Sequence, residues 1–154
     1  MIALLKIILL CGATCPTDSS NYILPKPDVI DRTLFGSSIT DLRNRFGNPD
    51  SSKRRGYFEG GMFYFQGIAF HINHDSIADN IIRIFSTKFI TNRGVKVGDS
   101  KEKLISIYGE GWVVEYWNHE EINYPPGANK HIYISFEIFD NKIKTIVLYN
   151  QDAP

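Results

Sequence analysis

The sequence predicts an α+β fold of two tandem α-β-β-β repeats, with the strands in antiparallel sheet and the helices packed on one face. Two observations carry this expectation. A short segment with the residues that start and stop a helix occurs twice, and each copy is followed by aromatic and β-branched runs separated by turn residues.

The repeated segment is Phe35 to Gly47 in the first copy and Val97 to Gly109 in the second. A constant offset of 62 superposes Gly36 on Gly98, Ser38 on Ser100, Leu42 on Leu104, Phe46 on Tyr108 and Gly47 on Gly109. Ser37/Ser38 and Asp99/Ser100 place side-chain oxygens where the first N–H groups of a helix lack partners, and Asp41 or Glu102 is spaced to reach back as in a capping box. Leu42 and Phe46, like Leu104 and Tyr108, lie four apart on one helix face, and Gly47 or Gly109 supplies a left-handed stop. No phosphate-loop pattern surrounds Gly36 or Gly98, so these glycines are structural.

Strand chemistry follows each copy. The first reads Arg54 to Glu59, Met62 to Ile72 with a bulge at Gly67, and Ile81 to Ser86. The second reads Trp112 to Trp117, His131 to Phe139 and Lys142 to Asn150, with a polar loop at His119-Glu120-Glu121, a long connection through Pro125-Pro126-Gly127, and a tight turn at Asp140-Asn141. The repeats divide at 31–88 and 89–150.

The G-x-S-x-x-x-L-x-x-x-[FY]-G pattern, found twice and followed each time by sheet segments, resembles the tandem-repeat family of the β-lactamase inhibitor protein and the related small outer-membrane lipoproteins of the SmpA/OmlA type. The resemblance spans Phe35 to Tyr149. It implies an exported, often lipid-anchored, non-catalytic protein that binds other proteins through an exposed sheet surface. The chain departs from the inhibitor in having no cysteine within the repeats.

The N-terminus accords with export. Met1 to Cys15 is an apolar run with one charge, Lys6, followed by small residues, which is the pattern of a signal peptide and too short to span a bilayer. Cys15 after Gly12-Ala13-Thr14 resembles a bacterial lipobox, with Gly12 where an aliphatic residue is usual; the two outcomes are acylation of Cys15 and plain cleavage near Ala13. Residues 16–30, rich in Pro and Ser, read as a flexible tether. The expected location is the periplasm, the outer membrane or the cell surface, with membrane contact only through a lipid. Cys11 and Cys15 are the only cysteines, so no disulfide, thiol nucleophile or thiolate metal site is expected within the repeats.

Seventeen basic residues balance seventeen acidic ones, which removes the field that would gather nucleic acid or an anionic membrane. Eight Tyr and ten Phe exceed the evident needs of the core and suit an interface. Strand alternation sends Ile132, Ile134, Phe136 and Ile138 inward and His131, Tyr133, Ser135 and Glu137 outward. In the first copy Ile68, Phe70 and Ile72 point inward, with Ala69, His71, Asn73, Tyr64 and Gln66 outward. Tyr64, His71, His131 and Tyr133, rimmed by Trp112, Tyr116 and Trp117, therefore form the candidate protein-binding face.

His71 and His74 point apart on a strand, no paired-carboxylate or nucleophile-elbow pattern stands out, and no cofactor motif is present, so no catalytic, metal or cofactor site is assigned. Two functions stay open. The first is a protein-binding envelope module of inhibitor, immunity or assembly-accessory type, whose partner is another envelope or secreted protein. The second is a binder of small molecules or peptidoglycan fragments, which would show a concave pocket between the repeats or under the Glu120 to Lys130 loop.

Overall fold

The computed structural model describes residues 34–54, 60–91, 93–125 and 132–151. Along the chain run α1 (Ile39–Phe46), β1 (Ser51–Arg54), β2 (Gly61–Phe65), β3 (Ile68–Ile72), β4 (Ala78–Ile84), α2 (Lys101–Tyr108), β5 (Trp112–Glu115), β6 (Glu120–Tyr124), β7 (Ile132–Phe139) and β8 (Lys142–Asn150). All eight strands join one antiparallel sheet in the order β1-β2-β3-β4-β8-β7-β6-β5.

This corrects the expected α+β class of α-β-β-β repeats. Among the described residues 49% are strand and only 16% helical, so the sheet is the fold and each helix is two turns long. Two misread segments account for the missing strands. Met62 to Ile72 is not one bulged strand, because Gln66 (φ 31°) and Gly67 (φ 93°) make a two-residue hairpin turn with Phe65 opposite Ile68. A side chain on Gly67 would come 2.4 Å from Ser86 Cβ, so the turn is built against the chain beyond β4. Glu120 and Glu121 are not loop residues but begin β6, which pairs with both β5 and β7. The order is thus one helix and four strands, twice.

The two halves are tied alike. Ser38 and Ser100 are the N-caps, their hydroxyls accepting from the N–H groups of Asp41 and Lys103. Gly36 N–H donates to the Ala78 carbonyl and Ala78 N–H to that of Ser37; Gly98 and Ile143 repeat the exchange with Asp99. Each helix start is thereby stitched to the first residues of the last strand of its own half. Asp41 completes a capping box, whereas Glu102 does not, its carboxylate accepting from Asn141 Nδ2 at 2.7 Å instead.

Equivalent rings fill equivalent places. Phe46 packs on Phe65 and Phe70, with ring centroids 6.2 and 5.5 Å away, and Tyr108 packs on Tyr124 and Phe136, both at 5.2 Å. These rings, Leu42, Leu104 and the inward residues of β3, β4, β7 and β8 make one hydrophobic cluster that crosses the junction between halves. At that junction Ile82 lies opposite Leu148 and Ile84 opposite Ile146. One side of the sheet is committed to this core, which leaves the other side for contact with solvent or a partner.

Candidate binding face

Strand register identifies the residues of the second face. Tyr64 pairs with Ala69, Ala69 with Arg83, Arg83 with Val147, Val147 with Ser135, Ser135 with Asn123 and Asn123 with Trp112. Because paired residues share a face, these seven form a row across β2, β3, β4, β8, β7, β6 and β5. Six strand spacings make the row about 29 Å long. A second row, Ile81–Tyr149–Tyr133, runs beside it, and a third carries Thr145, Glu137, Glu121 and Val114.

The middle of this face is polar and self-paired. Arg83 Nη1 lies 3.1 Å from Glu137 Oε1, and Ser135 Oγ donates to Glu121 Oε1 at 2.5 Å. Ala69, Ser135 and Val147 are buried even though they sit on the outward side, their short side chains being overshadowed by longer neighbours. The expectation that Ala69 and Ser135 face outward holds for direction and not for exposure.

Toward β5 part of the face combines aromatic rings with uncharged amides. An open groove of about 570 Å³ is lined by Asn80, Ile81, Trp112, Asn123, Tyr133, Tyr149, Asn150 and Gln151. The first two come from the first half of the chain and the rest from the second. Burial, followed by the negative charge of Glu121, holds the Tyr149 phenol above its ordinary pKa, so it stays a neutral donor and acceptor beside Tyr133. Asn80 Oδ1 is buried there without a hydrogen-bond partner.

The residues expected from the sequence are dispersed. Trp112 and Tyr133 line the groove, and Tyr64 stands on the same face at the other end, stacked on Phe85 at 6.4 Å. His71 is on that face too but is engaged, its Nδ1 lying 2.6 Å from Oδ1 of the buried Asp79. Tyr116 stacks on His119 at 4.5 Å, and His119 on Phe139 at 4.8 Å, so His119 is packed between two rings. Tyr116 and Trp117 border a separate hollow of about 380 Å³ with Glu120, Ile138 and Asn141. His131 and Cys15 lie outside the described residues, as do residues 1–33 with the leader and tether.

Sequence reasoning missed Tyr149, Ile81, Asn123, Asn80, Asn150 and Gln151. Tyr149 was hidden by a bulge: the Asp140-Asn141 turn, with Phe139 opposite Lys142, would set Tyr133 against Leu148, and the register shift between Glu137 and Ile138 brings Tyr149 there instead. Asn123 was lost with β6. Among the described residues no group of three or more His, Cys, Asp or Glu is placed to hold a metal ion, and no helix is long and apolar enough to cross a membrane.

No protein-family model and no curated protein matches the sequence. Solved structures do resemble the fold. The DUF4309-family protein YjgB of Bacillus subtilis is 18% identical over 86% of this chain and 90% of its own, with a TM-score of 0.55. An extracellular protein of Bacillus anthracis containing an SCP domain is 5% identical over 82% of this chain and 47% of its own, at a TM-score of 0.50. A provisionally assigned β-lactamase inhibitor protein of Streptococcus mutans is 15% identical over 87% of this chain and 94% of its own, at 0.30, too low to carry weight. What the chain has in common with the first two is the fold.

Proposed function

We propose that the chain is an exported, non-catalytic binding module of the bacterial cell envelope, held at a membrane surface by a lipid on Cys15 and docking a protein partner across its outer sheet face. The observation that carries this is the row from Tyr64 to Trp112. About 29 Å of continuous sheet face, polar in the middle and aromatic at both ends, suits a protein footprint of standard size, near 800 Å² per partner. Exposed Trp and Tyr side chains such as these are the residue types that binding hot spots favour. The leader-like segment up to Cys15 and the tether of residues 16–30 support export and anchoring. Likeness in pattern to the inhibitor and SmpA/OmlA-type families supports a role in inhibition, immunity or envelope assembly.

The test is capture from envelope extract by the full chain, beside a Trp112→Ala/Tyr133→Ala/Tyr149→Ala variant shown to be folded. Loss of a captured protein with the variant supports the face; equal capture by both places the partner elsewhere. Acylation is checked by metabolic labelling with palmitate, which Cys15→Ala should abolish.

A second reading rests on the groove. Its lining has no charged side chain, and three aromatic rings stand among four side-chain amides. That chemistry fits a neutral ligand with both an apolar face and hydroxyl or amide groups, such as a saccharide fragment of the cell wall. The groove is open rather than enclosing, which ranks this reading below docking of a protein.

A further inference from the structure

The two edges of the sheet differ in chemistry. β1 reads Ser51-Ser52-Lys53-Arg54, a short polar and basic edge of the kind that discourages addition of another strand. β5 reads Trp112-Val113-Val114-Glu115, without Lys, Pro or bulge, and Val113 is exposed on it. Trp112, which opens it, and Trp117, two residues past its end, are 75% and 95% exposed. One edge is guarded and the other presents an apolar strand.

The hydrogen-bond phase of that edge can be fixed. Tyr116 N–H donates to the His119 carbonyl at 2.8 Å, which makes 116 and 119 a hydrogen-bonded pair. Alternation along the β5–β6 ladder then assigns the pairs Val114–Glu121 and Trp112–Asn123 to the same type. The N–H and C=O groups of Val113 and Glu115 therefore point away from β6. Among the described residues no strand pairs with β5 on that side.

We propose that β5 is the seam of a two-fold dimer, pairing antiparallel with β5 of a second copy of this chain. The edge is complementary to itself. With the axis through Val114, Val113 faces Glu115 of the partner subunit and Glu115 faces the partner's Val113, so all four outward backbone groups find partners. The same register sets Trp112 beside Tyr116 of the partner subunit, an aromatic cross-strand pair formed twice, and Val114 beside the partner's Val114. No Glu115 meets its counterpart, and a chain with seventeen charges of each sign carries no net repulsion against its copy. The partner's Tyr116 then stands next to Trp112, extending the groove from across the axis.

Light scattering on the full chain in mild detergent, over a range of concentrations, tests this. The expected result is twice the monomer mass for the native chain and the monomer mass for Val113→Pro. That variant deletes an outward N–H and no β5–β6 bond, and dimerisation should weaken at least tenfold, about 1.4 kcal/mol, with circular dichroism unchanged. Val113→Glu, which sets a second carboxylate against Glu115 of the partner subunit at both ends of the seam, gives the same reading if the proline variant misfolds. A native chain that stays monomeric, or a folded Val113→Pro or Val113→Glu that stays dimeric, overturns the proposal.

Discussion

Ser38 shows how much the single residue decides. Its hydroxyl accepts from Asp41 N–H at 3.1 Å, and the Asp41 carboxylate accepts from the Ser38 N–H in return, which fixes where α1 begins. Ser38→Ala and Ser100→Ala should each lower stability by about 1 kcal/mol in chemical denaturation, without altering the fold. Acid should weaken the same structures. Hydrogen bonds from Ser38 lower the Asp41 pKa, and the Asn141 hydrogen bond lowers that of Glu102. At Asp99 partial burial pushes upward but is outweighed by the Lys103 hydrogen bond and charge and the Lys96 N–H, so the net shift is also downward. A folded pKa below the unfolded one gives stabilisation that is full above the ordinary carboxyl values of 3.8 and 4.5 and is lost as pH falls through the depressed values. Urea midpoints should accordingly fall below about pH 4, and Asp41→Asn should flatten that dependence. Ser38, Asp41 and Ser100 were legible in the sequence because capping is a local interaction, set by spacings of three, whereas the bond of Glu102 to Asn141 is long-range and was not.

The elements were legible only where their signals were local. Both helices start at the expected serines, whereas the strand count failed at Gln66-Gly67 and at Glu120. A Gly between apolar runs serves a bulge as well as a turn, and only pairing of Phe65 with Ile68 decides between them. Glu120 and Glu121 read as loop, yet in β6 they bond outside their own strand, Glu120 to Lys101 Nζ at 2.6 Å and Glu121 to Ser135 Oγ. Long-range partners of that kind leave no trace in a local pattern. The hairpin makes a sharp prediction. Gly67→Ala places a Cβ in contact with Ser86 at a left-handed backbone, and should cost about 2 to 4 kcal/mol in thermal or urea unfolding. Leu104→Ala, at a fully buried helix position, should cost a comparable 2 to 5 kcal/mol through the cavity it leaves.

At the scale of the whole molecule the halves share one sheet and one core. The β4–β8 ladder and the Ile82–Leu148 and Ile84–Ile146 contacts cross their boundary, so unfolding should follow a single transition by both fluorescence and circular dichroism. Two separated transitions would show the halves to be independent domains. The face opposite the core was partly legible: alternation placed Tyr133 on it, but Tyr64 was reached only through a bulge at Gly67 that is a hairpin turn, and Trp112 stood only at the rim; the order of strands, and with it the distance from Tyr64 to Trp112 and the meeting of Ile81 with Tyr149, is a property of topology alone. That face is the centre of the functional account. Its most direct test is photocrosslinking in living cells, with a photoreactive amino acid in place of Tyr64 or Asn123 on the face and of Lys103 on α2. Adducts of one protein at Tyr64 and Asn123, and none at Lys103, are the predicted result; adducts at Lys103 with none on the face would contradict it.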